Sequence, residues 1–276
     1  MMRRLTQAVL LIVVICCARQ ARGTCTFTVS SMSFGSYTGG GAAWPGTAIG
    51  TWTGNTCAGN WEIPLGPGLS PKGTETTRYM TGPGGQTLGY GVFQDTGHQT
   101  YWGNTATTEK TGTSYLPVTF YGLITALQYP TPGTYTDTLA TATATFPVSV
   151  TVLSGCAVTA TNLAFGNYVA TAALTSTSII TVTCTNTTPY NVGLSAGASG
   201  SVTARAMTGP GGHTLGYGLY QDTGHGTNWG VTIGTNTEAG IGTGSAQTLT
   251  VYGQIPKGEF AVAGAYTDTI TATVTY

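Results

Sequence analysis

The sequence predicts an all-β fold: two tandem immunoglobulin-like antiparallel β-sandwich domains, the second of which lacks its last strand. Three observations lead to this prediction. Apolar and polar residues alternate at period two along much of the chain, and no segment sustains the 3.6-residue period of a helix. Clusters of Gly, Pro, Asn and Thr separate the short apolar runs, as turns separate strands. The chain also contains one module written twice.

The composition excludes several classes of protein. The 276 residues include only 9 Lys+Arg and 9 Asp+Glu, which is 7% of the chain, against about 25% in an average soluble domain. This argues against coiled coils and charge-driven disorder. Four of the basic residues lie within the first 22 positions, so five basic residues face nine acidic ones in the remainder. Nucleic-acid binding is not expected, because no basic patch is present to neutralise phosphates.

The first 23 residues are typical of a secretory signal peptide. Arg3 and Arg4 precede an apolar run of about 13 residues that ends at Cys17, and small residues suited to cleavage follow. The run is shorter than the ~20 residues that a membrane-spanning helix needs. We therefore expect residues 1–23 to be removed from an exported protein.

An internal duplication defines two modules. Residues 80–91 return as residues 207–218, an offset of 127, with a single change from Gln86 to His213. The outer landmarks, among them the first cysteine of each module, are offset by 131 instead. A self-similar pattern of this length indicates two copies of one folding unit. We therefore place the domains at residues 24–153 and 154–276.

The four cysteines that follow the signal peptide form two pairs, one in each module at matching positions. In an oxidising compartment this predicts the disulfides Cys25–Cys57 and Cys156–Cys184. Each bond would close a loop of about 30 residues, worth roughly 3–4 kcal/mol in the chain-entropy model. No cysteine pair has the two-residue spacing of a zinc knuckle, and we expect neither a metal nor a cofactor.

The two modules end differently. Between them lies a predicted strand whose apolar face contains Val148, Val150 and Val152. The last predicted strand of the second module has a comparable apolar face, formed by Tyr266, Ile270, Val274 and Tyr276. In the first module the corresponding strand is followed by the valine strand, whereas in the second nothing follows it in the sequence. We therefore expect the second module to be one strand short.

A missing strand leaves a hydrophobic groove and an unpaired sheet edge, which soluble proteins normally avoid. Another chain can fill such an edge by strand addition, with main-chain hydrogen bonds and alternate side chains in pockets. Only Thr24 stands between the expected cleavage site and the first cysteine. We therefore expect this protein to accept a donor strand and not to supply one.

These features resemble the spore coat protein U domain family. The resemblance lies in Phe-Gly-x-Tyr at residues 34–37, in Tyr-Gly-Val-Phe-Gln-Asp at 90–95 with its repeat at 217–222, and above all in the Thr-rich strand at 266–276. The family includes subunits of archaic chaperone-usher pili. The resemblance implies an incomplete immunoglobulin-like fold completed by donor-strand exchange. It also implies three partners: a periplasmic chaperone, an outer-membrane usher and the N-terminal donor strand of the adjacent pilin subunit.

A chain of two modules without its own N-terminal donor strand is similar to the two-domain tip adhesin of that family. This resemblance implies export through the periplasm to the pilus tip, surface attachment and biofilm formation. The first module would face an unidentified surface receptor, and three tryptophans without a counterpart in the second module are its candidate contacts: Trp44, Trp52 and Trp61. Tryptophan also packs cores, so both interpretations stay open. A structural spore or cell-surface coat protein of the same fold is the alternative.

A remote alternative is an aspartic peptidase, because Asp95 and Asp222 each begin an Asp-Thr-Gly triplet in a duplicated chain. Each triplet is, however, preceded by Gln and followed by His98 or His225. Asp and Gly in such a segment favour a turn between strands. We interpret the histidines, including His213, as turn residues. The sequence therefore predicts no catalytic residue and no enzyme.

Overall fold

The computed structural model describes residues 26–40, 43–53 and 59–276. Within these ranges the regular structure consists of eighteen strands and three single 3₁₀ turns, at Pro83–Gly85, Gly197–Ser199 and Pro210–Gly212. The predicted all-β class is confirmed. None of the described segments forms a helix with the length and hydropathy to span a membrane. The expected signal peptide, Cys25, Cys57 and the disulfide between them lie outside the described residues.

The first module contains ten strands: β1 (Thr26–Val29), β2 (Met32–Tyr37), β3 (Trp44–Thr53), β4 (Trp61–Ile63), β5 (Arg78–Thr81), β6 (Thr87–Phe93), β7 (Lys110–Gly112), β8 (Val118–Ile124), β9 (Gly133–Ala140) and β10 (Thr145–Val152). Eight of them form one sheet in the order β1-β3-β2-β10-β9-β5-β6-β8, and β3 also pairs with β8, so the sheet curls around its own core. Strands β4 and β7 pair separately.

The second module contains eight strands: β11 (Cys156–Ala160), β12 (Leu174–Cys184), β13 (Pro189–Leu194), β14 (Arg205–Thr208), β15 (Thr214–Tyr220), β16 (Glu238–Ile241), β17 (Ala246–Ile255) and β18 (Ala272–Thr275). Two sheets, β11-β12-β17-β15-β14 and β16-β13-β18, enclose a hydrophobic core that is separate from the core of the first module.

Strand β10 lies inside the sheet of the first module. It pairs antiparallel with β9 along its full length and parallel with β2. Val148, Val150 and Val152 point inward and are buried, whereas Thr151 between them is exposed. The period-two pattern in the sequence therefore corresponds to one face packed on the core.

The C-terminal segment differs from its prediction as one continuous strand from Tyr266 to Tyr276. Only β18 is a strand, and it pairs with β13 through Val274 and Val192. Among residues 261–271 the ladder is reduced to a single bridge, between Thr267 and Thr208. The prediction was wrong for this half because a strand needs a neighbour for its backbone groups, and β10 supplies one only in the first module.

Candidate functional site

The second module contains an open groove of about 1290 Å³. Its rims are residues 160–168 and 259–272, and its floor is mainly apolar, formed by Ile180, Leu215, Leu219, Val251 and Ile255 among others. By the internal repeat, the rims correspond to β2 and β9, which flank β10 in the first module. The groove thus lies where the first module holds its own strand β10.

Burial of equivalent side chains follows the presence or absence of that strand. Tyr135 and Leu139 of β9 are fully buried, whereas their counterparts Tyr266 and Ile270 are half-buried. Both counterparts line the groove. The predicted groove-edge residues therefore divide into two sets, since Val274 lies in β18 and Tyr276 is exposed beyond it.

A polar pair stands among the apolar residues of the groove. The Tyr217 hydroxyl donates a 2.7 Å hydrogen bond to Oδ2 of Asp268. Oδ1 of the same carboxylate accepts from the backbone N–H groups of Ala198 and Thr269, at 3.0 and 2.7 Å. Burial, followed by the hydrogen bond to the carboxylate, raises the pKa of Tyr217 above its ordinary value. The phenol is therefore kept protonated as a donor, and the pair is satisfied while the groove is open.

A buried arginine fixes the loops beside the groove. The Arg205 guanidinium donates to four backbone carbonyls, those of Leu194, Ser195, Val202 and Trp229, at 2.6–3.1 Å. Burial lowers the pKa of this guanidinium. Since Leu194 lines the groove, Arg205 acts as a positioning residue for the groove wall.

The first module repeats this arrangement with Arg78, which donates to the carbonyls of Leu65, Gly66, Glu75 and Trp102. Burial lowers the pKa of Arg78 to about 10. The sequence interpretation missed both arginines. Their signal was available: Arg78 and Arg205 are offset by the same 127 residues as the repeat, in a chain with few basic residues.

The structure contains a disulfide between Cys156 and Cys184, with an S–S distance of 2.02 Å. It joins the first residue of β11 to the last residue of β12, which are opposite each other in the antiparallel pair. The bond lies at the end of the second module that faces the first, because the chain reaches Cys156 directly from β10 through Leu153–Gly155.

The three candidate tryptophans do not share one surface. Trp44 and Trp52 lie near opposite ends of β3. The Trp52 ring lies 4.7 Å from Phe27 and 5.2 Å from Trp61, between ring centroids. Trp44 is at the end nearer the second module, where its Nε1 donates to the Phe34 carbonyl at 2.8 Å.

Trp52, Trp61 and Tyr115, which we call the distal aromatic cluster, lie at the end of the first module opposite Trp44. Trp52 and Tyr115 are 5.1 Å apart between ring centroids, and all three side chains are half-buried. Leu116, the neighbour of Tyr115, is 70% exposed. This end therefore combines a packed aromatic base with an exposed apolar side chain.

The two Asp-Thr-Gly triplets form separate turns in separate modules. The Asp95 carboxylate accepts backbone N–H groups of Gln99 and Thr100, and Asp222 accepts those of Gly226 and Thr227. These hydrogen bonds lower the pKa of both carboxyls. Since each carboxylate is engaged by its own turn, the two do not form the shared dyad that the peptidase alternative requires.

The histidines lie in turns as well. His98 and His225 close the two Asp-Thr-Gly turns with φ of 55°, and His213 is exposed on a hairpin between β14 and β15. Among the residues that the structure describes, no group of three or more His, Cys, Asp or Glu side chains could hold a metal ion.

Comparisons with known proteins agree with this architecture. A family model described as Spore Coat Protein U domain matches residues 12–141 and again residues 142–273. The complex of the chaperone CsuC with the tip adhesion subunit CsuE, from archaic chaperone-usher Csu pili of Acinetobacter baumannii, is similar with a TM-score of 0.56. The match has 18% identity and covers 91% of this chain and 100% of that one. At this identity the likeness supports the fold alone.

Two further solved structures are less similar. The CupB6 tip adhesin of Pseudomonas aeruginosa has 13% identity, with 92% of this chain and 94% of that one covered, at a TM-score of 0.32. The CFA/I adhesin CfaE of enterotoxigenic Escherichia coli has 11% identity, covering 88% and 92%, at 0.28. Neither score supports an argument. A search of curated proteins finds no match.

Proposed function

Because the chain belongs to the Spore Coat Protein U domain family, we propose that it is the tip adhesin of an archaic chaperone-usher pilus. In this role the second module accepts the N-terminal strand of the adjacent pilin subunit, and the first module contacts a surface. The observation that carries the proposal is the contrast between the two modules: one groove is filled by β10, and the equivalent groove is open.

The first module provides a template for the donor strand. Residues 145–152 pair with residues 140–133 in antiparallel register. Transferred by the offset of 131, the same register places a donor residue with the role of Val148 opposite Asp268 and one with the role of Val150 opposite Tyr266. The donor therefore presents small apolar side chains at alternate positions and pairs its backbone with residues 264–271.

An open groove requires protection before assembly, since an unpaired apolar edge promotes aggregation. A periplasmic chaperone is the proposed temporary occupant, and an outer-membrane usher the proposed site of exchange. CsuE, whose structure is similar to this chain, was solved with its chaperone CsuC in a pre-assembly complex. The final location is the pilus tip at the cell surface.

The distal aromatic cluster is the proposed attachment surface, and biofilm formation the proposed consequence. Exposed apolar side chains on a rigid base gain free energy on contact with an apolar surface, at about 25 cal/mol per Å² buried. Leu116 supplies the exposed side chain, and Trp52 and Trp61 supply the base.

The donor-strand part is tested with a synthetic peptide of residues 144–153, which contains the strand β10 that fills the equivalent position in the first module. Added to the purified full chain, this peptide is expected to raise the unfolding temperature of the second module. A control peptide carries Asp at the positions of Val148 and Val150 and is expected to have no effect. An unchanged transition with both peptides would contradict the proposal.

The tip location is tested by immunogold labelling of cells that produce the protein. Labelling at fibre ends supports the adhesin. Labelling along the fibres, or evenly over the envelope as in a coat layer, would overturn it.

A further inference from the structure

The second module exposes three apolar side chains at its pole farther from the first module. Phe260 is 91% exposed, Val169 is 65% exposed and Val262 is 48% exposed. Phe260 and Val262 follow β17 on one loop, and Val169 follows Tyr168 on the neighbouring segment. We call these three residues the exposed apolar patch.

The two modules build this pole in the same way. In the second module the Gly258 N–H donates to the Ala170 carbonyl at 2.8 Å. In the first module the Leu127 N–H donates to the Gly40 carbonyl at 3.2 Å. By the offset of 131, Leu127 corresponds to Gly258, and the two acceptor carbonyls lie within one residue of corresponding positions. By the offset of 131, Phe260, Val262 and Val169 of the exposed apolar patch correspond to Tyr129, Thr131 and Thr38 in the first module.

Those three counterparts contact the next module in the chain. The Asn186 N–H donates to the Tyr129 carbonyl at 3.0 Å, and Asn186 Nδ2 donates to Oγ1 of Thr131 at 3.0 Å. A side chain on Gly155 would collide with the Thr38 carbonyl, so backbone packs against backbone there. The module that follows β10 is therefore seated on the pole of the module that β10 completes.

We propose that the exposed apolar patch is the docking surface for the globular domain of the subunit whose strand fills the groove. This inference rests on the proposed function, because it needs a donor strand in the groove. The contact repeats the junction between the two modules of this chain, with Phe260 in place of Tyr129 and Val262 and Val169 in place of two threonines. The partner surface that faces the exposed apolar patch is expected to be apolar. At the internal junction, by contrast, Asn186 supplies polar groups.

The short link after β10 supports this assignment. Three residues, Leu153–Gly155, separate Val152 from Cys156, the first residue of β11. Three residues span at most about 11 Å. If a link of similar length follows the donor strand, the domain of the donor subunit stays close to this pole. Its effective concentration at the patch is then high, so that even a weak contact forms.

The junction between the two modules of this chain points to another module of this family as the partner. At the internal junction the contacting segments are the loop that follows the second cysteine, with Asn186, and Gly244, whose backbone lies close to the Tyr129 carbonyl. The partner is therefore expected to present its own loop after the second cysteine to Phe260.

The experiment places a photoreactive benzoylphenylalanine at Phe260 or Val169 of the full-length chain in cells that assemble fibres. The expected result is a crosslink to a protein with a matching family domain, mapped by peptide mass spectrometry to the loop after its second cysteine. Because Phe260 also lines the groove, the crosslink from Val169 is decisive. If it is confined to the chaperone, to the donor strand or to the first module of another copy, or if no crosslink forms, the proposal is overturned.

A second arm uses Val169→Asp, with Ile233→Asp as the matched control, because Ile233 is 55% exposed on the loop after Trp229. Val169→Asp is expected to reduce the chain recovered with sheared fibres about tenfold, which corresponds to about 1.4 kcal/mol. Ile233→Asp is expected to leave recovery unchanged. Equal recovery of the two variants would contradict the docking surface.

The β10 peptide separates this proposal from the proposed function. One outcome is that the peptide stabilises wild type and Val169→Asp equally while less of the variant is recovered with sheared fibres. In that case the patch contacts the domain of the donor subunit and not its strand. If the peptide stabilises neither, the proposed function itself fails. If the peptide binds and the crosslinks still lie elsewhere, only the docking surface is wrong.

Discussion

The Tyr217 hydroxyl and the Asp268 carboxylate are joined by a 2.7 Å hydrogen bond in a groove that none of the described strands fills. Tyr90 and Asp137 form the same bond, at 2.8 Å, in the module that β10 completes. The polar network is therefore in place before a donor arrives, and the difference lies in burial, since Asp137 is buried and Asp268 is half-buried.

Asp268→Ala is expected to destabilise the second module by about 1.5–3 kcal/mol, because a hydroxyl and two backbone N–H groups lose their charged acceptor. Urea unfolding of the full chain, followed by hydrogen-exchange mass spectrometry of peptides from the second module, measures the effect. Tyr217→Phe is expected to cost less, about 1 kcal/mol, since the carboxylate keeps its backbone donors. If the two substitutions cost the same and add independently, the pair is not coupled.

Val150→Ala is expected to destabilise the first module by about 1.5–3 kcal/mol, from lost burial and the cavity left behind. Thr151→Ala is the matched control, because the next residue of the same strand faces outward. Four of the five tryptophans lie in the first module, so the fluorescence transition reports mainly on it. Equal effects of the two substitutions would mean that β10 is not packed as the structure has it.

Arg78→Lys is expected to cost about 3–5 kcal/mol, the usual range for breaking a buried charged network. Lysine has three donors on one atom and cannot reach carbonyls that the planar guanidinium contacts from several nitrogens. The exposed Lys72 provides a control, and Lys72→Met is expected to change stability by less than about 0.5 kcal/mol. Chemical denaturation measures the free energy of unfolding of both variants. If Arg78→Lys loses no more stability than Lys72→Met, Arg78 has no structural role.

Asp222→Asn is expected to flatten the acid limb of the stability profile. Backbone hydrogen bonds lower the pKa of Asp222 in the folded chain, so its contribution is present above the unfolded value, about 3.9, and is lost as the pH falls through the lower folded value. Thermal unfolding between pH 2 and 6 is the measurement. Asp95→Asn serves as the equivalent test in the first module, and curves parallel to wild type would refute the prediction.

Several features follow from the sequence without knowledge of packing. The offset of 127 between residues 80–91 and 207–218 establishes the duplication, and period-two alternation establishes strands with one apolar face. Val148, Val150 and Val152 of β10 are buried, and their alternation shows in the sequence because side chains of a strand point to opposite faces with a period of two.

Other features depend on neighbours that are distant in sequence. Strand propensity at Tyr266 and Ile270 did not produce a strand, because their backbone groups find no backbone partner among the residues that the structure describes. The four carbonyls around Arg78 come from three different segments, so no local pattern could indicate them. Trp44 and Trp52 are eight residues apart, and only the extended conformation of β3 separates them to opposite ends of the module.

The sequence by itself therefore determined the repeat and the alternating pattern of most strands, because these depend on local alternation and on copy number. Tertiary structure alone decided that residues 261–271 do not form a regular strand, that two arginines hold the loops, and that the apolar residues Phe260 and Val169 share one pole. Those outcomes depend on which distant segments come into contact in the fold. Hydrogen bonds and packing between two segments stabilise a structure only when both segments are present at the contact.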